Sequence, residues 1–157
     1  MATPQRLIAQ DVFAFLTPKQ VDAISNAATA IALHAGEAVY RQGGRAESIY
    51  VVLEGQVELY LPGKHGVTIP IETVGKGDFF GSSATFEPGS YMVTAQCATD
   101  CKLLKIETTV LQRLMDQDCR MGYALQRRIS TIYFKRYVET MQKLQAIVMT
   151  IPLEVHG

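Results

Sequence analysis

Apolar residues fall at helical spacing near both ends of this chain and at strand spacing between them. Residues 11–27 read as a helix. Val12, Phe13, Leu16, Val21 and Ile24 recur at steps of three to five, and Thr17-Pro18 supplies a cap followed by a proline suited to a first helical turn. From about residue 29 to 106 the texture changes to short β-branched and aromatic runs punctuated by glycine. Residues 48–60 form two strands around a Glu54-Gly55 turn. In the second of them Val57 and Leu59 alternate with Gln56, Glu58 and Tyr60, the period of a half-buried strand. Pro62 to Gly66 reads as a turn and Val67 to Val74 as the returning strand. Several short strands at this spacing predict an antiparallel sandwich or roll.

After Ile106 the helical period returns. Thr108 is placed to cap a short helix carrying Val110, Leu111, Leu114 and Met115, and Asp118 to cap a second helix running to about Val148 and ended by Pro152. That second helix is far longer than the usual three or four turns, so it needs a partner along its length. Phe134, Tyr137, Met141, Leu144, Val148 and Ile151 follow alternating steps of three and four, the seam of a two-chain coiled coil. Upstream the same register meets Ser130 and Arg127, so the strict seam covers only the C-terminal half. Leu125, Ile129, Ile132 and Tyr133 form another apolar face, suited to packing on the roll. A helix folded back on its own domain is the alternative to a homodimer. No internal repeat is visible, and residues 1–157 are expected to form one domain.

Composition narrows the function classes. Fifteen basic residues balance fifteen acidic ones, so no global charge draws the chain to nucleic acid or membrane. No apolar run approaches the roughly 20 residues that cross a bilayer. The first residues carry no signal core, so a cytoplasmic location is expected. Cys97, Cys101 and Cys119 read as three reduced thiols, with a redox pair at Cys97 and Cys101 as the alternative. His34, His65 and His156 have no ligand-spaced partner, so neither a metal nor another cofactor is expected. Arg127, Arg128, Lys135, Arg136 and Lys143 make the long helix basic, either as a solvated face or as a site for an acidic partner. No nucleophile elbow, phosphate loop or dinucleotide fingerprint occurs, and the chain is not expected to be an enzyme.

Three segments carry a family resemblance: residues 35–44, residues 49–60, and Gly75-Lys76-Gly77-Asp78-Phe79-Phe80-Gly81. Together they resemble the cyclic-nucleotide-binding domain family of catabolite-activator and Fnr-type regulators and kinase regulatory subunits, over roughly residues 11–148. The resemblance implies a mainly β fold with flanking helices. That fold is a cupin-like β-roll (jelly roll) of residues 29–106, followed at 108–148 by a short helix and a long dimerisation helix. It also implies a phosphate-binding cassette at 80–92. In the family a short helix there cradles the phosphate with its backbone amides, a glutamate holds the ribose, and an arginine pairs with the phosphate.

This sequence keeps that frame and lacks those side chains. Ser82 stands where the glutamate would be, Ser83, Ala84, Thr85 and Phe86 follow it, and Tyr91 and Met92 stand at the arginine and its neighbour. No arginine or lysine lies between Lys76 and Lys102. Losing a buried charged partner costs about 3–5 kcal/mol, or two to three decades of affinity at about 1.4 kcal/mol each. Tight binding of cyclic AMP or cyclic GMP is therefore not expected. The expectation is a non-enzymatic ligand-sensing module for signal transduction, its pocket lined by Phe80, Gly81, Ser82, Ser83, Ala84, Tyr91 and Met92. Ser130 and Thr131 of the long helix would complete it. Its ligand would be a small molecule, nucleotide-like or another anion. The alternatives are an inert dimerisation scaffold and a true cyclic-nucleotide binder that relies on backbone amides. A haem sensor would draw on His34, His65 and Cys97, which no spacing links. Only Thr150 to Gly157 follow the long helix, too few for a helix-turn-helix, so no direct DNA binding is expected.

Overall fold

The computed structural model describes residues 14–82 and 89–152. Val12, Phe13, Ser83, Ala84 and His156 lie outside the described residues. Two compact units stand out, residues 1–122 and 123–157.

In the first unit, helix α1 (Pro18–Ala27) starts where Thr17 and Gln20 cap each other's backbone amides, with proline in the first turn. Among the described residues eight strands follow: β1 (Ala28–Leu33), β2 (Ala38–Tyr40), β3 (Ser48–Glu54), β4 (Val57–Pro62), β5 (Thr68–Val74), β6 (Phe79–Phe80), β7 (Thr94–Cys97) and β8 (Cys101–Glu107). They form two antiparallel four-stranded sheets, ordered β1-β8-β3-β6 and β2-β7-β4-β5. The β4–β5 connection is a short 3₁₀ turn, Lys64–Gly66, with His65 in the left-handed region. Helix α2 (Thr108–Gln117) follows β8, and α3 (Cys119–Thr150) runs on into the second unit.

The core lies between the sheets. Tyr50 and Val52 of β3, Val57 and Leu59 of β4, Val74, Phe80, Ala95, Cys97, Cys101 and Leu103 form its buried cluster. β3 is buried on both faces from Ser48 to Val52. On the other side of this sheet α1 and α2 pack on the neighbouring β8 and on each other, burying Val21, Ile24, Leu111 and Met115. Side chains alternate across a strand, so Leu104 and Ile106 of β8 point away from Leu103 towards those helices.

Thr108 does not cap α2. It is the first helical residue, and its hydroxyl and amide both bond the Glu47 carbonyl at 3.0 and 2.9 Å. Glu107 occupies the cap position without a side-chain bond. Asp118 does serve α3, accepting from the Met121 amide at 3.1 Å. In the second unit, Phe134, Tyr137, Met141, Leu144, Val148 and Ile151 are all exposed, between 43 and 68%.

The Glu54-Gly55 turn is held by the neighbouring β7–β8 connection. The Gln56 carbonyl accepts from the Ala98 amide and the Cys101 thiol, and Thr99 Oγ1 accepts from the Gln56 amide. Gly55 has φ +94, and an added Cβ would collide with the Asp100 carbonyl, Cys101 Sγ and Thr99 Oγ1. Gly36 is also left-handed, at φ +88, but has nothing within 4 Å of a new Cβ. Gly55→Ala should therefore cost about 2–5 kcal/mol, from strain plus overpacking. Gly36→Ala should cost about 1–2 kcal/mol, from strain alone. Urea unfolding midpoints of the two variants check the difference.

Candidate functional site

The strand leading into the cassette is fixed by ring packing. Phe80 pairs in register with Tyr50, and their rings stack at 5.3 Å with 16° between planes. Gly81 then turns at φ +81, where a Cβ would stand 3.2 Å from the Ser48 carbonyl and 3.4 Å from the Tyr40 ring. Glycine is needed here because the chain passes so close to β3. Ser82 is buried beyond it.

The chain returns through Gly89, Ser90 and Tyr91, paired to residues 43–46. The Ala46 amide donates to the Gly89 carbonyl, the Tyr91 amide to the Gly44 carbonyl and the Gly43 amide to the Tyr91 carbonyl, all within 2.9–3.0 Å. Arg45 and Ser90 form the bridge between them. This pairing aims Tyr91 inward, and only 4% of the residue is exposed. Its ring lies flat on Tyr40, centroids 3.6 Å apart and planes 12° apart. Its hydroxyl donates to the Ser48 carbonyl at 2.6 Å and accepts from the Ser48 amide at 3.2 Å. Met92, the next residue, is 70% exposed.

The site is electrically quiet. Burial, and then the neighbouring Tyr91, push the Tyr50 phenol up to about 12. Burial likewise raises Tyr91. Both phenols are neutral at ordinary pH. The nearby Arg45 guanidinium is exposed and paired with Glu47 at 2.9 Å. Arg45 and Lys105 border a surface cavity of about 450 Å³, but Glu47 and Glu107 border it too, so its charges balance.

Phe80, Gly81, Ser82 and Tyr91 thus come together as the segment's two ends, and Met92 lies on the surface. Ser83 and Ala84 lie outside the described residues. Ser130 and Thr131 are exposed positions on α3 in the second unit, where Thr131 Oγ1 donates to the Arg127 carbonyl at 2.9 Å. Tyr40, Ser48 and Tyr50 were not singled out from sequence. Tyr40 and Tyr50 lie within the first two family-like segments, and Ser48 stands one residue before the second. Among the described residues no group of three or more His, Cys, Asp or Glu is placed to hold a metal ion. Cys97 and Cys101 are buried free thiols and Cys119 is exposed.

Residues 30–118 match the family described as the cyclic nucleotide-binding domain. The chain belongs to the cyclic nucleotide-binding domain family. Among curated relatives, it is 30% identical over 104 residues to a cAMP-dependent protein kinase regulatory subunit of Schizosaccharomyces pombe, covering 66% of this chain and 24% of that one. The chain therefore spans a quarter or less of the length of the curated relatives it matches.

Solved structures of cyclic nucleotide-binding-like proteins share the fold. A putative cyclic nucleotide-binding protein from Geobacter metallireducens superposes with a TM-score of 0.74 at 23% identity, covering 87% of this chain and 99% of that one. The sensor domain of the transcriptional regulator DNR from Pseudomonas aeruginosa gives 0.72 at 24%, covering 86% and 91%. The Thermus thermophilus catabolite activator protein gives 0.73 at 20%, covering 87% and 62%. Mainly β sheets with flanking helices and a long C-terminal helix are thus the architecture, as the sequence predicts.

Tyr91→Phe keeps the stacked ring and removes the phenol donor from the buried Ser48 carbonyl, so it should cost about 1–3 kcal/mol. Chemical denaturation of the variant checks this. The folded-state value of Tyr50 is raised above its unfolded value. Its contribution is therefore complete below about pH 10 and is lost as pH climbs towards about 12. Absorbance titration should show Tyr50 ionising only as the protein unfolds in alkali.

Proposed function

We propose that this chain is a non-enzymatic regulatory module that does not take cyclic nucleotides in the manner its fold family is named for, and that signals as a homodimer through α3. The observation that carries this reading is Tyr91. Where a cyclic phosphate would need a cation, a neutral phenol is buried, stacked on Tyr40 and bonded to the β3 backbone. The chain from Gly77 to Cys101 offers no cation to replace it. The remaining anion donors are amides of the cassette around Ser82, Ser83 and Ala84, and amides alone lack the charge-assisted fork that gives tight phosphate binding.

Phe80, Gly81, Ser82, Ser83, Ala84, Tyr91 and Met92 remain the residues proposed to line a ligand pocket of different chemistry. The burial of Tyr91 favours a second reading, in which the cassette is packed shut and the module is a dimerisation scaffold. The cytoplasm is proposed as its compartment. Free Cys97 and Cys101 suit reducing conditions, and no helix among the described residues is long and apolar enough to cross a membrane.

The homodimer rests on six large apolar side chains exposed at three-four spacing, five along α3 and Ile151 just past its end. Replacing Met141 and Leu144 together by lysine should convert a sedimenting dimer to monomer while the melting curve of the roll persists. A wild type that is already monomeric at micromolar concentration would remove the dimer from the proposal.

Calorimetry should give dissociation constants for cyclic AMP and cyclic GMP no tighter than about 100 µM, since losing the buried charged partner removes two or more decades. Low-micromolar binding of either would overturn the reading. A thermal-shift screen separates sensor from scaffold, because a ligand at 100 times its dissociation constant adds about 2.7 kcal/mol of stability.

A further inference from the structure

The seam of α3 has a polar gap at its N-terminal end. With Phe134, Met141 and Val148 at the a positions and Tyr137, Leu144 and Ile151 at d, the same register places Ser130 at d, Arg127 at a and Tyr123 at d. Tyr123, Arg127, Ser130 and Phe134 are all exposed on the helix of the second unit. In a parallel two-fold dimer, residues at a and d meet their own copies across the axis. Arg127 would then face Arg127 of the partner subunit, with the two Ser130 hydroxyls about 4.5 Å further along the axis, given the helical rise. Tyr123 and Phe134 close this polar layer at either end.

No acidic side chain of α3 is placed to balance the two arginines. The g and e positions that usually carry interhelical ion pairs hold Gln126, Thr131, Tyr133 and Val138 here. Glu139, the one acidic residue of α3, is about 18 Å along the axis from Arg127. None of the ion pairs among the described residues involves Arg127. Two like charges held at an interface oppose association, and the small Ser130 side chains leave room beside them.

We propose that this layer is an anion site on the dimer axis, incomplete in one chain. Two Arg127 guanidinium groups and two Ser130 hydroxyls would hold one phosphate dianion, free or as the phosphoryl group of a metabolite. The bound anion couples ligand to assembly. It neutralises the repulsion that otherwise weakens the dimer, so the helix pair tightens as phosphate rises. This inference rests on the dimer proposed above, and goes beyond it by naming the site, its ligand class and the regulated step.

Sedimentation at fixed ionic strength tests it, with chloride exchanged for inorganic phosphate or glycerol 2-phosphate so that screening is constant. The wild-type dimer should tighten about tenfold in phosphate, roughly one decade of binding free energy. Arg127→Gln, with helicity confirmed by circular dichroism, should dimerise more tightly than wild type in chloride and lose the phosphate response. Arg127→Lys should keep a weakened response. A stronger effect of glycerol 2-phosphate than of inorganic phosphate assigns the site to phosphorylated metabolites, and equal effects assign it to free phosphate. A dimer indifferent to phosphate, or an unchanged response in Arg127→Gln, overturns the anion site and leaves the dimer standing. A monomer under every condition overturns both.

Discussion

The hydrogen bonds between the Tyr91 hydroxyl and the backbone of Ser48 join the end of the cassette to the start of β3, and the neighbouring geometry follows from them. To reach Ser48, the ring must lie inside the roll, which sets it flat on Tyr40. Tyr40 in turn lies about 6 Å from the Tyr50 and Phe80 rings, and those two stack on each other. Four aromatic rings on β2, β3, β6 and the returning chain thus tie both sheets together around the Tyr91 phenol. Aromatic pairs add about 0.5–1.5 kcal/mol beyond their area, and a buried polar tip without its partner would cost more than such a pair gains. The backbone pairing of 43–46 with 89–91 is what delivers the tip to its partner.

The same arrangement supports the proposal that the fold is kept without its family ligand. A phosphate site in the interior of a roll needs a cation whose charge is compensated by the ligand. An empty site of that kind leaves an uncompensated charge in a place of low dielectric. A tyrosine avoids that cost. It fills the space and finds its hydrogen bonds within the protein, and its raised ionisation range keeps it neutral. On the proposed reading, a ligand entering here would have to displace a side chain already bonded to Ser48.

Much of this was legible in the sequence, and the limit of legibility has a physical cause. Thr17-Pro18, the Glu54-Gly55 turn and the three-four stepping of α3 are local signals, and each marks an element that exists. The glycines at 36, 43, 55, 77 and 81 do adopt positive φ, as tight winding of strands requires. Thr108 was misread because a threonine before a helical run looks like a cap, whereas its hydroxyl is engaged by Glu47, 61 residues away. The missing cation of the cassette was visible as an absence between Lys76 and Lys102. The direction of Tyr91 was not, because it depends on pairing with residues some 45 positions earlier, which no periodicity encodes. Met92 and Tyr91 are neighbours with opposite fates for that reason alone.

Among the described residues β1 sits at the edge of its sheet with β8 as its one sheet neighbour, Ala28 opposite Ile106 and Leu33 opposite Cys101. A ribosome adding residues one at a time therefore makes β1 long before it makes the strand that holds it. Until residue 107 has left the exit tunnel, β1 and one side of β3 present unpaired backbone, since β8 lies between them. Closing a loop of that length is slow relative to forming a helix or a hairpin. Birth of the roll is thus a late, single event, gated by one strand. The β4–β5 hairpin and α1 can form early, but they wait for β8 as the keystone, and nascent chains stalled short of it would be the ones exposed to aggregation and to chaperones.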